Sequence, residues 1–238
     1  MSLKDKIPSL LEALAGLPLS EMLAFIGQAF PGKVAFSTAL GQEDQVITDA
    51  IFSEKLPVRI FSLDTGRLFQ ETYDLWARTE QKYNNKIEPY FPRTEDVEAL
   101  VSKQGINGFY DAVENRKACC HTRKVLPLTR ALQGVSVWVT GLRAGQSANR
   151  SNFSLLEWDE AFQVIKCNPI INWTFDEMLA YLKAHEVPYN TLHDQGYVSI
   201  GCAPCTRAIL PGEEPRAGRW WWEQTQKECG LHANYFKK

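Results

Sequence analysis

Features of several protein classes are missing from this sequence. No apolar run approaches the roughly 18 residues that a helix needs to cross a bilayer. The N-terminal apolar stretch is interrupted by Glu12 and has no clear cleavage site, so a secretory signal is not expected. The net charge of −2 provides no overall attraction to nucleic acid or to anionic lipid. These absences predict a cytoplasmic protein with neither a membrane nor a nucleic-acid partner.

The usual fingerprints of phosphate-binding loops are absent as well. The chain contains neither a Walker loop nor a G-x-G-x-x-G motif, and it has no internal repeat or low-complexity linker. Its 45% apolar and 23% charged residues are typical of a folded globular protein. The 238 residues are enough for one α/β domain or a domain with a short appendage.

Short β-type runs alternate with helical patterns over most of the chain. The apolar, β-rich runs are 34–36, 58–63, 87–91, 135–140 and 162–167. Helical patterns lie between them, and a further one begins at a capping box formed by Thr174 and Glu177. Strands separated by helices predict an α/β fold with a doubly wound, mostly parallel sheet.

The character of the sequence changes near residue 190. Beyond that point Gly, Pro and Cys become dense, the alternation of strands stops, and a last helix is predicted over about residues 219–228. We therefore predict a single domain over residues 1–238. It would consist of an α/β core of about residues 1–190 and a functional tail of about residues 190–238.

Polar residues follow three of the predicted strands, at the position where ligands bind in open α/β sheets. In the first loop, Ser37 and Thr38 precede a helix whose N-terminal N–H groups favour a phosphate, with an ordinary turn as the alternative. Arginines in such loops suit an oxyanion through bidentate hydrogen bonds, with simple solvent exposure as the alternative. The candidates in the second and third loops are Asp64, Gly66, Arg67, Gly141, Arg143 and Arg150.

Six cysteines need an explanation other than disulfides, which are rare in the cytosol. Cys202 and Cys205 are two residues apart and can reach one metal centre, and the adjacent Cys119 and Cys120 would complete four sulfur ligands. Zinc and a [4Fe–4S] cluster both accept such a set. Adjacent cysteines suit a cubane better, because its four corners lie on separate irons. Cys167 stands in an apolar run and is expected to be buried.

The remaining cysteine, Cys229, lies near the end of the sequence. A four-ligand cluster has no place for it, so it is either incidental or reactive. A helix C-terminus disfavours a thiolate, so its activation would need nearby cations such as His232. Lys124, Arg216 and Arg219 lie close in sequence to the metal candidates. They could orient a sulfate or merely offset the negative charge of the thiolates.

On these residues the sequence resembles the assimilatory adenylyl-sulfate (APS) reductases, relatives of the phosphoadenylyl-sulfate (PAPS) reductases. The resemblance extends from residues 36–44 to the tail, and its most specific features are the CC and CxxC pairs together with the ECGLH segment. It implies an adenine-nucleotide α-hydrolase fold, related to the PP-loop pyrophosphatases, with a cysteine-bearing C-terminal tail.

The resemblance also implies a reaction. Cys229 would attack the sulfur of bound APS and expel AMP, and thioredoxin or glutaredoxin would then release sulfite, for cysteine biosynthesis. Cys119, Cys120, Cys202 and Cys205 would hold a [4Fe–4S] cluster. By position, the residues expected to contact the nucleotide and surround the phosphosulfate are Ser37, Thr38, Gly141, Arg150, Lys124, Arg216, Arg219 and His232.

Three other interpretations remain open at this point. A cluster-bearing PAPS reductase would share every motif, because no residue pattern identifies a pocket for a 3′-phosphate. A PP-loop enzyme that modifies nucleotides or tRNA is disfavoured by the missing SGG-x-D-S loop. A non-catalytic four-cysteine metal or redox-sensing module would leave the arginines without a role. Plant relatives carry a fused glutaredoxin-like domain that these residues lack, which predicts an external thiol donor, and a homo-oligomer is compatible with the sequence.

Overall fold

The computed structural model describes residues 2–146 and 153–223. The helices are α1 (Ile7–Leu14), α2 (Leu19–Ala29), α3 (Gln42–Ser53), α4 (Gln70–Tyr83), α5 (Thr94–Gln104), α6 (Val113–Cys120), α7 (Leu126–Ala131) and α8 (Phe175–Ala184). The strands are β1 (Val34–Thr38), β2 (Arg59–Leu63), β3 (Glu88–Tyr90), β4 (Val137–Val139), β5 (Leu156–Asp159) and β6 (Val164–Cys167). Short 3₁₀ turns and one π-helical turn occur between these elements.

The strands form one six-stranded sheet in the order β3-β2-β1-β4-β6-β5. Strand β1 pairs in parallel with both β2 and β4, and β4 pairs in parallel with β6. The predicted α/β fold with a mostly parallel sheet is therefore confirmed. Strands buried on both faces need nearly continuous apolar sequence, and β1 and β4 have that composition.

One strand was not predicted from the sequence. Strand β5 pairs antiparallel with β6 at the edge of the sheet, and of its four residues only Leu156 is buried. An edge strand of this kind has a weak apolar signal, because three of its four side chains stay partly exposed. The helix predicted from residue 219 is wrong over its described part. Residues 219–223 instead form turns, with a single β-bridge between Arg219 and Thr206.

The described residues divide into two compact units. The first, whose described residues are 2–62, 71–88, 134–146 and 153–190, contains most of the sheet and a core of buried apolar side chains such as Phe36 and Ile47. Cys167 is fully buried there, as predicted. In the same unit the capping box of α8 is present, with Thr174 accepting a hydrogen bond from the Glu177 N–H at 3.1 Å.

The described residues of the second unit are 63–70, 89–133 and 191–223. This unit contains α5, α6 and α7, and its own core is a cluster of Phe109, Trp220, Cys120, Cys202 and Cys205. The predicted division at about residue 190 stays a prediction. No helix among the described residues combines the length and the apolar character needed to cross a membrane.

Candidate four-cysteine site and strand-end loops

Cys119 and Cys120 end α6, and the helix continues without a break into a π-helical turn, His121–Val125. A π turn widens the helix by one residue and is frequent at functional sites. This turn carries Arg123 and Lys124, and both side chains line the same cavity as the two cysteines. Lys124 therefore lines the cavity of the cysteines from a π-helical turn that follows the α-helix.

Cys202 immediately precedes a short 3₁₀ turn, Ala203–Cys205, and Cys205 ends it; the backbone of this segment is fixed from several directions. The Cys205 N–H donates to the Cys202 carbonyl at 2.9 Å, and the Ala203 N–H donates to the Arg67 carbonyl at 2.8 Å. The Thr65 hydroxyl lies 3.3 Å from the Cys202 sulfur. These contacts hold both thiols toward one space.

All four cysteines line a single cavity of about 400 Å³, a volume that includes its open mouth. Cys120, Cys202 and Cys205 are buried, whereas Cys119 is half-buried. Among residues 2–146 and 153–223, no group of three or more His, Cys, Asp or Glu side chains is arranged to hold a metal ion. The cavity therefore brings together the two predicted pairs without forming a compact site for one ion.

Burial weakens the acidity of two of these thiols, those of Cys119 and Cys205, by raising their pKa. Burial, followed by the neighbouring Cys202, raises the pKa of the Cys205 thiol to about 12, while Lys124 acts in the opposite direction. Burial also raises the pKa of the Cys119 thiol, opposed mainly by Arg123. Any metal centre bound here must displace protons from these thiols, since thiolates are the ligands.

Five cationic side chains line the cavity with the cysteines: Arg67, Arg116, Arg123, Lys124 and Arg219. Arg123 donates to the Thr65 carbonyl at 2.7 Å, and Arg219 donates to the Ile200 carbonyl at 3.1 Å. Several of these cations are therefore held in place by the protein itself. Arg216, also predicted, donates to the Ser199 hydroxyl at 3.5 Å.

Sequence reasoning missed Arg116 and Arg123. Both lie within four residues of Cys119 or Cys120 on the continuous α6–π segment, and this spacing was the signal that could have found them. Both are almost fully buried, and Arg116 forms an ion pair with Glu223. The partners of such residues lie far away in sequence and cannot be read from local spacing.

The second predicted loop belongs to the same unit. The Asp64 carboxylate accepts a hydrogen bond from the Gly66 N–H at 2.8 Å, which stabilises the turn, and Gly66 has a positive φ of 69°. Arg67 donates to the Ile106 carbonyl at 2.6 Å and lines the cysteine cavity. Within this loop, Arg67 therefore lies beside the cysteines, whereas Asp64 stabilises the turn.

The first predicted loop lies in the other unit and is hydrogen-bonded internally. The Thr38 hydroxyl accepts from the Leu40 N–H at 3.0 Å, and the Asp44 carboxylate accepts from the Ala39 N–H at 2.7 Å. The Ser37 hydroxyl accepts from the indole of Trp138 at 2.8 Å. Two backbone N–H groups of this loop are thus bonded to the side chains of Thr38 and of Asp44, which lies in α3.

The third loop, in the same unit as the first, is closely packed. Arg143 is almost fully buried, and its guanidinium lies 3.0 Å from a carboxylate oxygen of Glu43. Gly141 lies against the Asp44 side chain, where a β-carbon would stand 3.1 Å from Cγ and would overlap Oδ1. The predicted site residues Arg150, Cys229 and His232 lie outside the described residues.

The chain is thus an α/β protein with a mostly parallel sheet and polar strand-end loops. It also has a cavity that is lined by four cysteines and several cations. Residues 33–208 match the phosphoadenosine phosphosulfate reductase domain. The chain belongs to that family.

Relatives of this family are similar over almost the whole chain. The adenosine 5'-phosphosulfate reductase of Agrobacterium fabrum is 49% identical over 94% of this chain and 86% of its own length. That of Allochromatium vinosum is 53% identical over 85% of this chain and 80% of its own length. The resemblance stated from the sequence is therefore confirmed.

Solved structures agree on the fold. The PAPS reductase of Candida auris, in a phosphate complex, superposes with a TM-score of 0.74 at 32% identity, over 87% of this chain and 97% of that one. Yeast FAD synthetase superposes with a TM-score of 0.55 at 14% identity, over 85% of this chain and 68% of that one. At that identity the second match supports the fold alone.

Proposed function

We propose that this chain reduces APS to sulfite and AMP in sulfate assimilation. One observation carries the proposal: Cys119, Cys120, Cys202 and Cys205 meet in one cation-lined cavity, which leaves a single cysteine, Cys229, for nucleophilic chemistry. Cys167 is fully buried in the other unit, and burial raises its pKa to about 12. The relatives described above, about half identical to this chain, carry the name of that activity.

The reaction balances with one thiol of this chain and an external dithiol. The Cys229 thiolate attacks the sulfur of APS, the bond from that sulfur to the phosphate oxygen breaks, and AMP leaves with the electron pair. A thiolate of thioredoxin or glutaredoxin then attacks the Cys229 sulfur and displaces sulfite. The second thiol of the dithiol resolves the mixed disulfide, so the two electrons come from the external partner. Because this cycle needs free thiols, we place it in the cytoplasm.

The four-cysteine cavity fits a [4Fe–4S] cluster by the chemistry of its donors. Four thiols in a cavity that is also lined by aromatic and cationic side chains suit a centre that is held by thiolates and carries negative charge. Cys119, Cys120, Cys202 and Cys205 would hold it. When bound, it would supply a fixed charge that tunes the electrostatic potential of the cavity.

The substrate contacts are proposals that come from the family resemblance. Lys124, Arg216 and Arg219 would bind the phosphosulfate, for which charge-assisted hydrogen bonds are well suited. The cavity position of Lys124 and Arg219 supports that role. The remaining proposed contacts are Ser37 and Thr38 for the nucleotide and Gly141, Arg150 and His232 for the phosphosulfate.

A PAPS reductase is the second candidate, because the Candida auris enzyme is a structural relative. Sulfite release from APS and from PAPS, measured side by side with thioredoxin, tests the proposal. We expect kcat/KM to be about tenfold or more higher for APS, since one substituent can change transition-state binding by that much. An equal or higher value for PAPS would assign the second activity, and no sulfite from either would refute both.

Anaerobic purification tests the metal assignment separately. A brown protein with iron and sulfide in [4Fe–4S] proportion is expected. A colourless protein that contains zinc and releases no sulfite would favour the non-catalytic module.

A further inference from the structure

An ion pair buried beside the cysteine cavity connects the helix of Cys119 and Cys120 with the last described residue. Arg116 donates from Nε to Oε1 of Glu223 and from Nη2 to Oε2, both at 2.8 Å. The two side chains are only 3% and 4% exposed. A bidentate pair of this kind fixes orientation as well as distance.

A gain in stability does not explain why this ion pair is buried. Desolvation of two charges offsets most of their attraction, and apolar replacements of buried ion pairs are often neutral or stabilising. What the pair does provide is one defined arrangement of two chain segments.

Both partners lie next to groups of the site. Arg116 stands three residues before Cys119 in α6, and its guanidinium lies 4.7 Å from the ring centre of Trp220. The Trp220 N–H donates to the Cys205 carbonyl at 3.1 Å, and the Glu223 N–H donates to the Trp220 carbonyl at 2.9 Å. The chain is thus fixed to both cysteine pairs as far as Glu223.

Cys229 comes six residues after Glu223 in the sequence. Six residues span at most about 20 Å when fully extended. Without the ion pair, the preceding residue held by packing would be Trp222, whose ring centre lies 4.5 Å from that of Tyr110, seven residues before Cys229. Lengthening the tether from six to seven residues hardly changes the effective concentration of its end, so the main contribution of the ion pair is the orientation that it gives the chain at Glu223.

We propose that the Arg116–Glu223 ion pair positions the C-terminal segment so that Cys229 reacts from a fixed starting point beside the four-cysteine cavity. Arg116 and Glu223 are positioning residues in this account, and the inference rests on the proposed function because it takes Cys229 as the nucleophile. It assigns a buried arginine and glutamate to the sulfo-transfer step, although neither needs to touch the substrate.

The test uses Glu223→Gln, which keeps the shape and removes the charge. The single-turnover rate of sulfo transfer to Cys229 should fall about threefold or more, because the segment that follows residue 223 loses its fixed orientation. The dissociation constant for AMP and the iron content should stay within about twofold of the wild type, and amide exchange at residues 220–223 should become faster. Arg207 and Glu213 form the matched control, another bidentate pair at 2.8 Å, so Glu213→Gln should leave the rate unchanged.

A second variant keeps the inference testable if Glu223→Gln fails to fold. A four-residue Gly-Ser insertion after Gln224 leaves both partners of the ion pair intact and should slow sulfo transfer about twofold or more by length alone. An unchanged transfer rate in either variant overturns the inference. So does an equal fall in rate and AMP affinity in Glu223→Gln. A wild-type protein that forms no adduct with APS would instead refute the proposed function.

Discussion

The guanidinium of Arg219 packs against the backbone of Gly201, in the space that a side chain at residue 201 would occupy. A β-carbon there would stand 2.5 Å from Cζ and 2.9 Å from Nη1 of Arg219. Arg219 is also held over the ring of Trp220, 4.9 Å from its centre. The position of this arginine in the cysteine cavity therefore depends on the absence of a side chain at a residue next to Cys202.

Gly201→Ala should displace the Arg219 guanidinium and weaken APS binding. A lost charge-assisted hydrogen bond contributes about 1.5–3 kcal/mol, so the dissociation constant should rise about tenfold or more. The measurement is equilibrium binding of APS in the Cys229→Ser background, which prevents turnover. AMP serves as the control ligand because it lacks the sulfo group, and its affinity should change much less. Equal losses for APS and AMP would contradict a role of Arg219 at the sulfo group.

Lys124→Ala should raise KM for APS about tenfold or more, because truncation of a desolvated cationic partner usually costs a few kcal/mol. Lys124 lines the cysteine cavity. Lys117→Ala is a suitable control, since Lys117 is exposed on the helix that precedes the π turn. Unchanged kcat and KM in Lys124→Ala would leave Lys124 only the task of offsetting thiolate charge.

Gly141→Ala should destabilise the first unit through Asp44. The added methyl group would overlap Asp44 Oδ1, and that carboxylate also accepts the Ala39 N–H. We expect a loss of about 1–3 kcal/mol in the free energy of unfolding, measured with urea. In an Asp44→Ser background the same glycine substitution should cost less than half as much, because the overlapping atoms are gone. Additive effects would show that the two residues are not coupled.

Two tyrosines in the first unit make its stability sensitive to high pH. Tyr83 and Tyr181 each donate a 2.7 Å hydrogen bond to the Asp49 carboxylate. Burial and then these bonds raise the pKa of both phenols above the ordinary value of 10.0. The unfolded chain loses these protons near pH 10 whereas the folded protein keeps them. Their contribution is therefore complete below pH 10 and is lost as the pH rises further.

Urea unfolding between about pH 9 and pH 11 tests this linkage. The free energy of unfolding should fall across that range, and Tyr83→Phe should reduce the slope while lowering stability at pH 8 as well. A level free energy up to pH 11 would contradict the raised pKa values.

The regular part of the fold could be predicted because it depends on local pattern. The apolar runs at β1, β2, β4 and β6 and the capping box of α8 each leave a signal within a few residues. Strand β5 has no such signal in its sequence, because it is a strand through its pairing with β6 and not through its own composition. The helix predicted at residue 219 failed because the chain there bridges to Thr206 instead.

The part of the candidate site that depends on the spacing of the cysteines could be predicted from the sequence. The pairs of cysteines and Lys124 were found from sequence, and the structure places them around one cavity. The spacing of Arg116 from Cys119 could have placed it at the site, but its ion pair with Glu223, 107 residues away, could not be predicted. Arg143 likewise pairs with Glu43, 100 residues away, which no local pattern indicates. Long-range ion pairs require the tertiary structure.

Peptide mapping of the protein after reaction with APS, in the absence of any reductant, tests the central assignment most directly. Mass spectrometry should find one added sulfo group, on the peptide that contains Cys229, together with one equivalent of AMP in solution. The Cys229→Ser variant should keep its iron and form no adduct. A sulfo group on Cys119, Cys120, Cys202 or Cys205, or AMP release without any adduct, would contradict the division of roles among the cysteines.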